Sequence, residues 1–107
     1  MKKELTVHFK GIQAHAAGAA HLGHSALDAM LLTFQGINFL REHIPPGCQL
    51  DYTIIGSTGP VNIIHKSARA RFVLNAPDME TLTMLNKRVF SIVKGATIMT
   101  KTKFTVE

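Results

Sequence analysis

The chain has 107 residues, 46% of them hydrophobic and 18% charged, with a formal charge of +5. Such a composition describes one globular domain, large enough for a single core and too small for a multidomain enzyme, with no apolar run near the roughly eighteen residues of a membrane span. Cys48 is the only cysteine, which rules out an internal disulfide and suits a reducing compartment, while the moderate positive charge permits an anionic partner without requiring one.

The opening MKKE is not followed by the apolar stretch that a secretion signal needs, so no such signal is expected. Leu5, Val7 and Phe9 alternate with Thr6, His8 and Lys10, which predicts a strand over 4–10 with one buried face. After a stretch poor in bulk, Ser25 and Asp28 resemble a capping box, and Leu27, Met30, Leu31, Phe34 and Ile37 share one helical face. That helix should end near Glu42, because Pro45 and Pro46 cannot continue it. Leu50, Tyr52 and Ile54 form a second strand, stopped by Gly56 and Gly59, and Ala68, Ala70, Phe72 and Leu74 form a third. Asp78 can cap a second helix through Leu82, Leu85, Val89 and Ile92, with Lys94 in its last turn and Gly95 just past its end. A last strand is expected from about Ile98 to Val106, with Thr102, Phe104 and Val106 inward.

The order β-α-β-β-α-β predicts an α+β fold over the single domain 1–107: a split β-α-β, ferredoxin-like sandwich whose four-stranded antiparallel sheet carries both helices on one face. Its strand order, 4-1-3-2, leaves strands two and four as edges. Lys101 and Lys103 guard strand four, whereas strand two, QLDYTIIGS, carries only Asp51 and no interior proline. So weakly protected an edge is either an aggregation liability or an interface.

The fold alone does not choose a function. His21 and His24 are three apart in a loop, no carboxylate lies between them, and Cys48 has no partner, so no metal site and no cofactor are expected within this chain. Ser25 reads as a helix cap, with no G-x-S-x-G elbow, and GIQAHAAGAAHLG lacks the glycine spacing and Lys-Ser/Thr pair of a phosphate loop. RNA-recognition modules share this strand order and stack bases on aromatics of the open sheet face. Phe9 and Phe72 have core parity, which leaves Thr6, His8, Lys10, Arg69, Arg71, Lys101 and Lys103 on that face without a stacking platform. Neither a nucleic-acid nor a membrane partner is therefore expected; a free-standing small-ligand or RNA-binding module using this basic face is the alternative reading.

The stretches VHFKGIQAHAA, HLGHSALDAM, INFLREHI, STGPVNII and ATIMTKTKFTV, in that order, resemble the lid or dimerisation domain of the zinc-dependent aminoacylase and carboxypeptidase family, and within it the aminobenzoyl-glutamate hydrolase and amidohydrolase branch. The resemblance implies a domain excised from a longer cytoplasmic hydrolase that cleaves the amide bond of an N-acyl or aminobenzoyl amino acid. In such enzymes the lid is inserted into a catalytic domain holding two divalent metal ions, expected to be zinc. The histidine of the G-x-x-A-H-A-A motif, here His15, would reach the partner subunit's active site to polarise the scissile carbonyl and steady the tetrahedral oxyanion. Ala14, Ala16, Ala17 and Gly18 would give clearance for substrate and for a second chain, while His8, His21 and His24 inherit no role and read as surface or helix-entry residues. In TGPVNII, which resembles G-G-x-x-N-V-I-P, Asn62 would bind the substrate end and Gly59 would let the backbone pass close to it.

Two departures stand out: Asn75 in VLNAP replaces an arginine that can fork onto a carboxylate, and His65 replaces the proline after N-V-I. The family's H-x-D and Glu-Glu motifs, which carry the metal ligands and the general base, are missing, so the chain alone should be inactive. The implied homodimer joins two lids edge to edge through strand two, with the first helices alongside, into one eight-stranded sheet.

Overall fold

The computed structural model describes residues 1–12, 20–57 and 64–107. Strand β1 (Lys2–Lys10) buries Leu5, Val7 and Phe9 and turns Thr6, His8 and Lys10 to the opposite face, as the two-residue repeat of a strand requires. Helix α1 (Ala26–Leu40) starts at Ser25, whose Oγ accepts the Asp28 N–H at 3.2 Å. Its buried stripe is Ala26, Ala29, Met30, Thr33, Phe34, Ile37 and Leu40. Leu31, expected on that stripe, is instead 49% exposed, because Ala29 and Thr33 take the inward positions and turn it to the flank. The buried Thr33 hydroxyl is satisfied by the Ala29 carbonyl at 2.8 Å. A 3-10 turn, Arg41–His43, closes the helix where the two prolines demand it.

Strands β2 (Gln49–Ser57) and β3 (Ser67–Asn75) follow, then helix α2 (Met79–Thr100), capped by Asp78 Oδ1 accepting the Thr81 N–H at 2.8 Å, and β4 (Lys103–Val106). Here the sequence expectation is corrected. Gly95 does not stop α2, and the segment from Ile98 is not a strand. The apolar stripe Leu82, Leu85, Val89, Val93 continues through Ala96 and Thr97, both buried, so packing carries the helix another turn. It ends only at Lys101, which adopts the left-handed conformation at φ 54°, with its N–H and that of Thr102 returned to carbonyls of the last turn. Lys101 is therefore a helix cap rather than an edge-strand guard, and Thr102 precedes β4; Phe104 and Val106 pack against the core as expected.

The four strands form one antiparallel sheet in the order β2-β3-β1-β4. Both helices cover one face. α1 lies over the β2 side, where Phe34 stacks on Tyr52 with centroids 4.1 Å apart, and α2 over the β4 side, where Phe90 meets Phe104 edge-on at 6.4 Å. The helices cross closely at Gly36: a Cβ there would stand 2.6 Å from Ile92 Cγ2. All six phenylalanines lie on the core or helix side, and Phe9 and Phe72 are fully buried, so the open sheet face offers no aromatic for base stacking. It carries Thr6, His8, Lys10, Arg71, Lys103 and Arg69, the last paired with Glu107 at 2.9 Å.

Candidate functional site

His15, Gly59 and Asn62 lie outside the described residues. What the fold does determine is where their two segments begin and end. An antiparallel sheet in this order sends the end of β1, the start of α1, the end of β2 and the start of β3 to one end of the molecule, and backbone hydrogen bonds fasten those four points together. Gly11 donates to Lys66 O at 2.8 Å, Ile12 and His24 exchange bonds of 2.8 and 2.9 Å, and Ala26 donates to His65 O at 2.8 Å. Segments 13–19 and 58–63 thus leave and re-enter the fold side by side. Gly11 is indispensable to this arrangement, since a Cβ there would stand 2.0 Å from the His24 carbonyl oxygen.

Side chains to which the sequence assigned no role reinforce the same end. Ser57 Oγ and His65 Nδ1 are 2.6 Å apart, joining the last residue of β2 to the lead-in of β3. On the adjacent rung His8 Nε2 and Ser67 Oγ are 2.8 Å apart, joining β1 to β3, and Ser57 Oγ also lies 3.4 Å from Ser67 O. All of these groups are half-buried. The available sequence signal was a histidine following a proposed ligand loop, combined with serines at the facing strand ends; it becomes readable only once the β2–β3 register is known.

Asn75, which replaces the expected arginine, stands elsewhere. It pairs with Lys2 and Gln49 at the far end of β3, eight residues from Ser67 and hence roughly 26 Å away at about 3.3 Å per residue. Among the described residues no group of three or more His, Cys, Asp or Glu could hold a metal ion, and no helix is long and apolar enough to cross a membrane.

The second candidate surface is the β2 edge. Met1 and Ala76 exchange backbone bonds, and Gly11 donates to Lys66, so every second pair along β1–β3 between those limits is a hydrogen-bonded one: Leu74, Phe72, Ala70 and Ala68 direct their backbone groups to β1. Arg71, Val73 and Asn75 then face β2, and their partners Thr53, Asp51 and Gln49 are spent on the inner ladder. The outward N–H and C=O groups are those of Leu50, Tyr52 and Ile54. Ile54 is 55% exposed and Ile55, displaced by a bulge between Ile54 and Gly56, is 41% exposed. Above them Leu31 shares a helical stripe with Phe34 and Asn38, the two α1 residues that touch Tyr52, and so borders the same edge.

Comparison with known proteins agrees with this architecture. Residues 2–98 match the family model of the peptidase dimerisation domain. The chain is 44% identical over 95 residues, 88% of its length, to a subunit of the p-aminobenzoyl-glutamate hydrolase of Escherichia coli (strain K12), and 28% identical over 97 residues, 91% of its length, to the Xaa-Arg dipeptidase of Mus musculus. It spans about a fifth of the length of these relatives, 20% and 22% respectively. Among solved structures, the aminobenzoyl-glutamate utilization protein of Klebsiella pneumoniae superposes on 99% of the chain with a TM-score of 0.89 at 21% identity, over 27% of its own length. A hydantoinase/carbamoylase family amidase of Burkholderia multivorans does so with a TM-score of 0.84 at 15% identity, over 26% of its length. The likeness to these two structures concerns the fold.

Proposed function

Because the chain belongs to the peptidase dimerisation domain family, we propose that it is the lid and dimerisation domain of a longer dimetal amidohydrolase that cleaves the amide bond of an N-acyl or aminobenzoyl amino acid in the cytoplasm. The observation that carries the proposal is the 44% identity, over nearly the whole chain, to a p-aminobenzoyl-glutamate hydrolase subunit. The free-standing RNA-binding or small-ligand alternative gains nothing from the comparisons, and the open face lacks the aromatics it would need.

In this reading the two divalent ions, zinc by family likeness, belong to the catalytic part beyond this chain, where they supply Lewis-acid activation of water and carbonyl. The lid's own contribution is positional and electrostatic. His15 acts in trans as a donor to the developing oxyanion, and Asn62, with Gly59 clearing the backbone, binds the substrate end. A homodimer built through the β2 edge and α1 brings each His15 to the neighbouring subunit. The fastening of segments 13–19 and 58–63 at one end of the sheet supports a shared task for them, and Asn75 at the other end does not bear on it.

The test uses the intact enzyme and p-aminobenzoyl-glutamate. His15→Ala should lower kcat by about two to three orders of magnitude, the cost of one oxyanion donor, and leave KM and metal content nearly unchanged. An unaltered kcat would remove His15 from the mechanism.

A further inference from the structure

We propose that Arg41 sets the register in which a second copy of this chain pairs with the β2 edge: it closes that edge at Leu50 and leaves the two-fold axis at Thr53. The inference rests on reading β2 as the seam of the homodimer; the arrangement of Arg41 stands on the described residues.

Arg41 follows the last residue of α1, and its side chain reaches the edge of the sheet beneath. Its Nε donates to the Leu50 carbonyl at 2.7 Å, Nη1 donates to Asn38 Oδ1 at 3.0 Å, and Nη2 lies 3.6 Å from Asp51 Oδ1. The guanidinium carbon stands 5.0 Å from the centre of the Tyr52 ring, and Tyr52 donates its hydroxyl to the same Asn38 oxygen at 3.2 Å. A planar fork held at so many points does not swing aside freely, and its charge strengthens each bond it donates. The Leu50 carbonyl is one of the outward groups of β2. Nε therefore stands where the N–H of an added strand would have to come.

What remains free decides the register. The outward residues of β2 are Leu50, Tyr52 and Ile54, and past the bulge Gly56 pairs inward with Arg69. With a two-fold axis at Tyr52, that residue faces itself and Leu50 faces Ile54 of the second copy, whose N–H needs the carbonyl that Arg41 already fills. That N–H would be left unpaired inside the seam, once in each copy. Axes at Leu50 or Asp51 need the same carbonyl. An axis at Ile54 joins that residue to itself and no more, because Tyr52 would then face Gly56. With the axis at Thr53, Tyr52 exchanges both bonds with Ile54 of the second copy and Ile54 does the same with Tyr52, while Leu50 lies opposite Gly56 and forms no ladder bond. Its carbonyl, stranded at the end of the seam, is the one that Arg41 satisfies. Only the Thr53 axis completes two exchanges and leaves Arg41 in place.

The test reads the register by cross-linking. All variants carry Cys48→Ser, which removes the native thiol, and mass is first measured by sedimentation under reducing conditions. At a Thr53 axis the two Thr53 residues form a non-hydrogen-bonded pair with Cα atoms about 4.5 Å apart, within the span of a disulfide, and the side chain is exposed. Thr53→Cys should therefore give a disulfide dimer under mild oxidation, and little mixed product when combined with Asp51→Cys. Adding Arg41→Ala releases the Leu50 carbonyl, so the axis should move to Tyr52, where Leu50 and Ile54 add their exchanges. Thr53 then faces Asp51 of the second copy, and the two Thr53 Cα atoms lie about 8 Å apart, too far to bridge. The Thr53→Cys cross-link should slow at least tenfold, the mixed product with Asp51→Cys should replace it, and the dimer mass should persist.

A Thr53→Cys cross-link equally fast with and without Arg41, a dominant mixed product while Arg41 is present, or a monomer on Arg41→Ala would each overturn the register. A dimer that cross-links in neither way overturns it too, and Ile54→Pro then tells the two readings apart: loss of that dimer keeps β2 as the seam, whereas its survival removes the seam as well. A monomer with Arg41 intact at high micromolar concentration would overturn both.

Discussion

At one edge of the sheet β2 presents nine residues, with the outward backbone groups of Leu50, Tyr52 and Ile54, two exposed isoleucines and a flank of Leu31. At the other, β4 presents four, with Lys103 and Thr105 standing beside the outward groups of Phe104 and Val106. A lysine and a short strand are devices that discourage pairing, whereas a long apolar edge invites it. Two edges of one sheet thus teach that pairing propensity is written in side chains and length, since the backbone offers unpaired groups at both.

The contrast is broken most severely by charge. In Ile54→Lys with Ile55→Lys, a two-fold axis brings the lysines of both copies onto one seam, and like charges so placed cost several kcal/mol. Self-association should weaken by at least about 100-fold, while Thr105→Lys at the other edge leaves it unchanged; analytical ultracentrifugation distinguishes the two.

Next in size is Gly11→Ala, which forces a Cβ against the His24 carbonyl. It should cost about 2–3 kcal/mol in urea denaturation, the range of a serious backbone clash, because the end of the sheet that fastens both segments must shift. Leu31→Ser trims the flank of the edge without touching the buried stripe. A loss of about 1 kcal/mol is expected for partial apolar burial, which is about fivefold in the dimer dissociation constant.

The smallest effect concerns Asp78, on the helix that covers β1 and β4. Hydrogen bonds from the Thr81 backbone and side chain hold its carboxyl below the usual 3.8. A depressed folded-state pKa means that the cap's contribution is fully present above that ordinary value and is lost as pH falls through the folded pKa. Asp78→Asn should therefore flatten the acid end of the stability profile below about pH 4 without altering association at neutral pH. A change in dimer mass at pH 7 would show that α2 is coupled to the edge.

Much of this fold was legible in the sequence, because β1, α1, β2 and β3 each follow one clear period and both helix caps sit where Ser25 and Asp78 suggest. The end of α2 was not. Gly95 and the β-branched run after it favour a stop and a strand locally, yet Ala96 and Thr97 complete a buried stripe, and Thr97 and Thr100 return their hydroxyls to the carbonyls of Lys94 and Ala96. Tertiary packing outweighs propensity there. The identity of the edges was also readable, but not which N–H groups face outward. A proline at Thr53 would cut the inner β2–β3 ladder, because Thr53 pairs with Arg71 through its own backbone groups. Of the candidate site, His15, Gly59 and Asn62 came from motif likeness alone, while Ser57 and His65 needed the strand register to meet.

The most direct test of the edge assignment is sedimentation equilibrium on the wild-type protein beside Ile54→Pro and Val106→Pro. Each proline removes one outward N–H and leaves the inner ladders intact. The expected result is a wild-type dimer, a monomer for Ile54→Pro and a dimer for Val106→Pro. A wild-type monomer at high micromolar concentration, or a dimer that survives Ile54→Pro and is lost with Val106→Pro, would contradict pairing through β2.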